Sequence, residues 1–305
     1  NNGCLCCTVQ DDFLPTMEQL LERADQLDGI VIETSGLALP RPLLQALDWP
    51  AIRSRVHVNG VVTLVDGEAL AAGSPVADPE ALERQRQEDP NLDHITAIDE
   101  LFRDQLQAAD LVLVSRADCV DPGQLEGVKS DLRQRVRAGT ALLPVRLGAV
   151  DPELVLGLER QLQADAHGHV HDHHDHDHDH DHDHHDHSHV AMVGSTVRVT
   201  GALDRSALET TLQALVREHQ IVRLKGRAWL PGKALPLQIQ MVGPRLNSWF
   251  EAAPPNVWRP GESSGVDLVV LALMDSAEAS VRDAIQRLVQ ATPATASTAA
   301  STPES

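Results

Sequence analysis

In the first half of the chain, short hydrophobic runs alternate with amphipathic stretches. Ile30-Val31-Ile32, Gly60–Val65, Leu111–Val114 and Leu142–Leu147 are strand-length segments, largely apolar, as in strands buried on both faces of a parallel sheet. Leu14, Met17, Leu20, Leu21, Ala24 and Leu27 recur at three- and four-residue spacing. That spacing predicts a helix over 11–28, stopped by Gly29. Further helices are predicted over Pro40–Leu47 and up to about Ala109. Strand alternating with helix indicates an α/β domain with a parallel sheet. Ligands of such sheets sit beyond the carboxyl ends of the strands, which here carry Glu33, Gly36, Asp66, Ser115 and Asp118.

The pattern changes towards the carboxyl end. Ser195–Thr200, Ile221–Lys225, Leu237–Val242 and Val266–Leu273 read as strands, and Leu237, Ile239 and Met241 alternate with Gln238 and Gln240. Such alternation gives a sheet one apolar and one wet face. Asp204 is placed to cap a helix bearing Leu208, Leu212, Leu215 and Val216, and a last helix carries Val281, Ile285, Leu288 and Val289. His219, Arg223, Lys225 and Gly226 read as a solvated strand edge. This is a smaller α+β unit, expected to be separate from the first.

Between the two units, from His167 to His189, stand thirteen His and seven Asp, largely alternating. This low-complexity tract cannot bury apolar surface and reads as a solvated linker. Its imidazoles suit borderline divalent metals, bound weakly and without fixed geometry.

Charge and cysteine usage narrow the class. A formal net charge of -20 over 305 residues excludes bulk neutralisation of phosphates, hence a nucleic-acid partner. No apolar run reaches the roughly 20 residues of a membrane span. Four Cys, three of them crowded at Cys4, Cys6 and Cys7, do not make a disulfide framework, and reduced thiols imply a cytoplasmic protein. The chain opens on Asn1, directly into a motif, and is expected to lack its true N-terminus.

Three motifs carry chemistry. In Gly3-Cys4-Leu5-Cys6-Cys7, two or three thiolates can be offered together to a soft or borderline cation, leaving room for a further ligand. The alternatives are small half-buried cysteines at a helix start and a catalytic thiol, although no His is locally paired with the cluster. In Ile30-Val31-Ile32-Glu33-Thr34-Ser35-Gly36, an acid follows a hydrophobic strand in the Walker B manner, where it can hold Mg²⁺ beside a γ-phosphate. Gly36 lets a backbone N–H approach that phosphate. By itself this motif is also explained by turn requirements. Ser115-Arg116-Ala117-Asp118 corresponds to the Asn-Lys-x-Asp of guanine-nucleotide proteins. Asp118 is the acceptor for the base, Arg116 a planar stacking cation and Ser115 a shorter substitute for Asn. A GxxxxGK[ST] phosphate loop is absent from these residues, and is expected on a stretch preceding Asn1.

Together, Asn2-Gly3-Cys4-Leu5-Cys6-Cys7, Ile32–Pro40, the His-rich insert, Arg223-Leu224-Lys225-Gly226 and Gln240–Arg245 resemble the CobW-type metallochaperone GTPases. Asp11–Met17 and Asp89–Leu106 place the resemblance nearest the branch associated with cobalamin biosynthesis. The resemblance implies a P-loop NTPase-like α/β domain of the SIMIBI class, incomplete at its N-terminus, plus a smaller α+β C-terminal domain. The expected boundaries are 1–165 for the GTP-binding domain, 166–190 for the His/Asp linker, 191–291 for the CobW C-terminal domain and 292–305 for a disordered tail. By that resemblance Cys4, Cys6 and Cys7 hold metal, Glu33 and Gly36 belong to Walker B, and Ser115, Arg116 and Asp118 take the base. GTP and Mg²⁺ are the implied cofactors. The cargo is Co²⁺ for a cobalt-inserting chelatase or Zn²⁺ for zinc enzymes. Hydrolysis is expected of the longer parent and not of these residues alone. The rival from another class is a non-enzymatic metal buffer acting through the His/Asp tract. A thiol-dependent transferase is disfavoured for want of a paired base.

Overall fold

In the computed structural model, which describes residues 13–88, 98–156, 193–261 and 264–292, two sheets organise the chain. The first part runs α1 (Leu14–Leu21), α2 (Pro40–Leu47), β1 (Val62–Asp66), α3 (Gly67–Ala71), α4 (Pro79–Glu88), α5 (Ile98–Ala108), β2 (Leu111–Ser115), α6 (Pro122–Arg135), β3 (Ala141–Pro144) and α7 (Pro152–Leu156). The second runs β4 (Val193–Thr200), α8 (Arg205–His219), β5 (Ile221–Trp229), β6 (Leu237–Val242), β7 (Arg245–Phe250), β8 (Gly265–Ala272) and α9 (Ala277–Ala291).

The first sheet is parallel in the order β1-β2-β3, with Asp66 opposite Ser115, so β1 and β2 end level. The apolar run of β2 is buried because both of its faces are covered. Val112 and Val114 pack with Phe102 and Leu106 of α5 and with Val128 and Leu132 of α6, while Leu111 and Leu113 face the other way. Asp121 starts α6 by accepting from the N–H groups of Gly123 and Gln124, at 2.9 and 3.0 Å, with Pro122 in the first turn.

Three sequence expectations change here. Ile30-Val31-Ile32 forms no strand and pairs with none among the described residues, and Val31 is 75% exposed. An apolar run becomes a buried strand only when neighbours take its backbone groups and both faces, and no described segment does so here. The helix expected over 11–28 ends at Leu21, whose carbonyl accepts from Arg55 at 2.5 Å, and a 3₁₀ turn at Ala24–Gln26 follows. The strand expected to reach Leu147 stops at Pro144. Val145 still donates to the Val114 carbonyl, and the chain then reverses at Leu147 and Gly148, both at positive φ, with Ala149 N–H on the Arg146 carbonyl at 2.8 Å.

The second sheet is antiparallel, ordered β4-β8-β5-β6-β7. One face buries Val197, Leu224, Leu237, Ile239, Met241, Leu268 and Val270 under α8 and α9. Asp204 caps α8 by accepting from Ala207 N–H at 2.9 Å, as the sequence predicts. At the free edge of β4, Arg282 of α9 donates to the carbonyls of Thr196 and Arg198 at 3.3 and 3.4 Å, while Glu278 holds it at 2.6 Å.

The other face of this sheet is not wholly wet. Val222 of β5 and Val242 of β6, with Leu271, pack against Leu111, Leu113, Leu143 and Leu154 of the first part in one shared cluster. A polar clasp surrounds it. Asp110, fully buried just before β2, accepts from Val61 N–H at 2.8 Å, from Arg137, and from Arg245 of β7 at 2.5 Å. Arg223 donates to the Leu154 carbonyl at 2.9 Å and to Asn59 Oδ1 at 2.7 Å, while Asn59 Nδ2 holds the Leu156 carbonyl at 2.7 Å. Arg223 is therefore no solvated edge residue: β5 is a central strand, and Arg223 is 5% exposed. Burial pushes its guanidinium down to about 10. Gly243 and Pro244 form the β6–β7 turn, with Gly243 at φ 47 as a II′-type turn requires, and a Cβ there would collide with the Asp110 carbonyl.

Candidate nucleotide site at the carboxyl end of the parallel sheet

β1 and β2 finish side by side, and their last residues are tied together. Ser115 Oγ donates to the Val65 carbonyl at 2.9 Å, so the short hydroxyl joins the two strand ends. Asp66 Oδ1 accepts from the N–H groups of Glu68 and Ala69, at 3.0 and 3.1 Å, starting α3. Its Oδ2 accepts from Arg116 Nη1 at 2.8 Å, and Arg116 also pairs with Glu68. Both oxygens of Asp66 are thus engaged with groups of the protein, which leaves this carboxylate poorly placed to take a cation. Arg116, the next residue after β2, lies in the left-handed region at φ 53, and its side chain is half exposed. A bulky residue there is uncommon, and its guanidinium is paired with Asp66 and Glu68.

Asp118 follows in a 3₁₀ turn, closed by Cys119 N–H on the Arg116 carbonyl at 3.0 Å. Its carboxylate is partly exposed, and Arg146 stands 3.6 Å away, on the turn that follows β3. Beside Arg146, Leu147 projects almost fully into solvent from its left-handed position. The expected base-reading residues Ser115, Arg116 and Asp118 are therefore brought together, with Asp66, Glu68 and Arg146 as neighbours. Motif spacing does not reveal Glu68 or Arg146, since their approach follows from strand pairing.

Glu33 and Gly36 lie on the exposed segment that follows Ile32. Among the described residues the Glu33 side chain makes no ion pair or hydrogen bond. Ser35 folds the turn: its Oγ accepts from Leu37 N–H at 3.2 Å, and its carbonyl accepts from Ala38 N–H at 3.0 Å. Leu37 is buried, whereas a Cβ built on Gly36 would meet no atom within 4 Å. The surrounding fold therefore leaves open space at Gly36. Gln105 of α5 reaches this turn and donates to the Gly36 and Ala38 carbonyls at 2.8 and 3.2 Å.

Cys4, Cys6 and Cys7 lie outside the described residues, as does the His/Asp tract. Among the described residues no group of three or more His, Cys, Asp or Glu is placed to hold a metal ion. No described helix is long and apolar enough to cross a membrane.

Comparison with known proteins adds to this geometry. Residues 1–143 match the CobW/HypB/UreG nucleotide-binding domain, and residues 192–290 match the cobalamin synthesis protein cobW C-terminal domain. Over 290 residues the chain is 44% identical to a zinc chaperone CobW of Sinorhizobium sp, covering 94% of this chain and 79% of the relative. The chain belongs to the CobW family. A zinc chaperone CobW of Pseudomonas aeruginosa is 42% identical over 88% of this chain and 69% of its own length. A zinc-regulated GTPase metalloprotein activator of Schizosaccharomyces pombe is 43% identical over 22% of this chain and 16% of its own. The crystal structure of Zn(II)-bound YjiA GTPase from E. coli is 19% identical, covering 91% of this chain and 77% of that one, with a TM-score of 0.33. In CobW terms, the match places the parallel sheet in the nucleotide-binding domain and the antiparallel sheet in the C-terminal domain.

Proposed function

We propose that this chain is the metal-carrying body of a GTP-dependent zinc chaperone. Cys4, Cys6 and Cys7 take up zinc as cargo, and the nucleotide bound at the carboxyl ends of β1 and β2 governs its release to a metal-receiving protein. The observation that carries the nucleotide half is the Ser115–Asp118 turn. It presents a partly exposed carboxylate beyond the middle strand, where an acceptor for the paired N–H groups of a guanine is wanted. The exposed Glu33 and the open space at Gly36 fit the phosphate end, with Glu33 as the group that would hold Mg²⁺. The names of the Sinorhizobium and Pseudomonas relatives support zinc as the cargo. Thiolates accept cobalt(II) by the same chemistry, so competition between the two metals decides between them.

The chain's own part is to present thiolates and to change that presentation when the segment after Glu33 moves. The test is zinc titration of the full-length protein and of its C4S/C6S/C7S variant, each with a non-hydrolysable GTP analogue or GDP shown to be bound. The triple variant should lose the tight site and keep the weak capacity of the His/Asp tract. Undiminished tight binding would move the function to a buffer. Equal affinity in the two nucleotides would end the gating, because coupling between two ligands is reciprocal. Cobalt(II) held against excess zinc(II) would reassign the cargo.

A further inference from the structure

Gln105 of α5 hydrogen-bonds the turn after Glu33 through its side chain. Its side-chain nitrogen lies 2.8 Å from the Gly36 carbonyl and 3.2 Å from the Ala38 carbonyl. Both neighbours are acceptors, so only the NH₂ end of the amide satisfies them. The Gln105 backbone carbonyl accepts from Thr63 Oγ1 of β1 at 3.4 Å. The adjacent Leu106 and Phe102 are buried in the core. One residue thus links β1, the anchored face of α5 and the backbone on both sides of Leu37.

Apart from the buried Leu37, the turn itself is lightly held. Gly36 has soft dihedrals and open space around it, residues 30–36 are exposed, and the internal bonds of the turn both return to Ser35. We infer that Gln105 is a positioning residue: a two-pronged latch that sets the resting place of the Gly36–Ala38 backbone and therefore the ease with which this turn shifts when a phosphate arrives. The geometry stands independently, whereas its consequence for metal release rests on the nucleotide-gated reading above. A donor that spans two carbonyls makes the turn two-position: latched to α5, or released towards a ligand.

The test begins without any ligand. Amide exchange at Ala38, whose N–H closes the turn, is compared in the whole chain and in Q105A, Q105M and Q105K. Each lost hydrogen bond is worth roughly a two- to tenfold change in an opening equilibrium. Ala38 should therefore exchange faster by about that factor or more in Q105A. Q105M keeps the bulk of the side chain but has no donor, and should behave like Q105A. Q105K offers an ammonium to both carbonyls and should restore slow exchange. Wild-type exchange in Q105M would overturn the latch, since filling alone would then explain the residue. Amides of Val112 and Val114 in β2 report whether a variant has disturbed the sheet, and a change confined to the turn supports the proposal.

A second arm reads the consequence. In the full-length protein, with bound nucleotide verified, the ratio of zinc affinities with GTP analogue and with GDP should shift in Q105A and Q105M and return in Q105K. If the wild-type ratio is one, the gating reading fails while the exchange data still decide the latch. If the wild-type ratio differs from one and every variant matches it, the latch has no part in gating and that half of the inference falls.

Discussion

Replacing Asp110 with Ala should be among the costliest single changes to the stability of this chain. The carboxylate is fully buried, and its removal leaves three donors without their acceptor: Val61 N–H and the guanidinium groups of Arg137 and Arg245. Breaking a buried ion pair from one side typically costs 3–5 kcal/mol. That range is discounted here because the Arg137 and Arg245 side chains keep 35% and 23% of their surface exposed and can recover some hydration. An unsatisfied buried N–H adds about 1–3 kcal/mol. Arg137 also retains the Ala108 and Ala109 carbonyls, at 3.2 and 3.0 Å, which limits its loss. The balance is about 3 kcal/mol for D110A. D110N keeps one acceptor, and about half that loss follows. The assay is urea unfolding followed by tryptophan fluorescence, with Trp49 in the first part and Trp229, Trp249 and Trp258 in the second. Because Leu111, Leu113 and Leu143 share one cluster with Val222 and Val242, a single transition is expected in the parent chain. A double-mutant cycle of D110A with R245M should show a coupling of at least about 1 kcal/mol. A loss below about 1 kcal/mol in D110A, or no coupling in the cycle, would refute the clasp as a stabilising joint.

Two further outcomes follow from the C-terminal unit. Gly243→Ala should lower stability by about 2 kcal/mol or more, since a left-handed non-glycine residue costs roughly 1–2 kcal/mol before the collision with the Asp110 carbonyl is added; a loss under about 0.5 kcal/mol in urea unfolding would show that the turn adapts freely. Glu209 is pushed up by burial, but hydrogen bonds from Ser248 and Arg205 outweigh this and hold its carboxyl below the ordinary 4.5. Its contribution is therefore present above that value and lost as pH falls through the lower folded one, so E209Q should flatten the acid limb of the stability–pH curve below about 4.5. An unchanged limb would remove Glu209 from the acid response.

Much of the architecture was legible because local pattern and global packing agree. Leu237, Ile239 and Met241 alternate, and all three lie under α8 and α9; Asp204 caps the helix it precedes. The candidate site was legible only as pieces. Ser115, Arg116 and Asp118 are consecutive enough to be read as a motif, but their partners come from β1 and from the turn after β3, through strand pairing that no local pattern encodes. Arg223 was misread for the same reason. A charged residue on a strand suggests solvent until the opposing surface is known, and here that surface is α7 and Asn59. Ile30-Val31-Ile32 shows the converse, since hydrophobicity states a demand for neighbours and does not supply them.

The placement of the clasp has a mechanical consequence. Asp110, Val61 and Arg137 stand just ahead of the parallel strands, at the ends opposite Asp66, Ser115 and Asp118. The antiparallel sheet is thus held to the parallel one in two places, by Asp110 at that end and by apolar packing of Val222, Val242 and Leu271 on the face of β2 and β3. It acts as a stator. On the nucleotide-gated reading, displacement begun at the other end would be taken up in the Glu33–Ala38 turn and not in rotation between the two sheets.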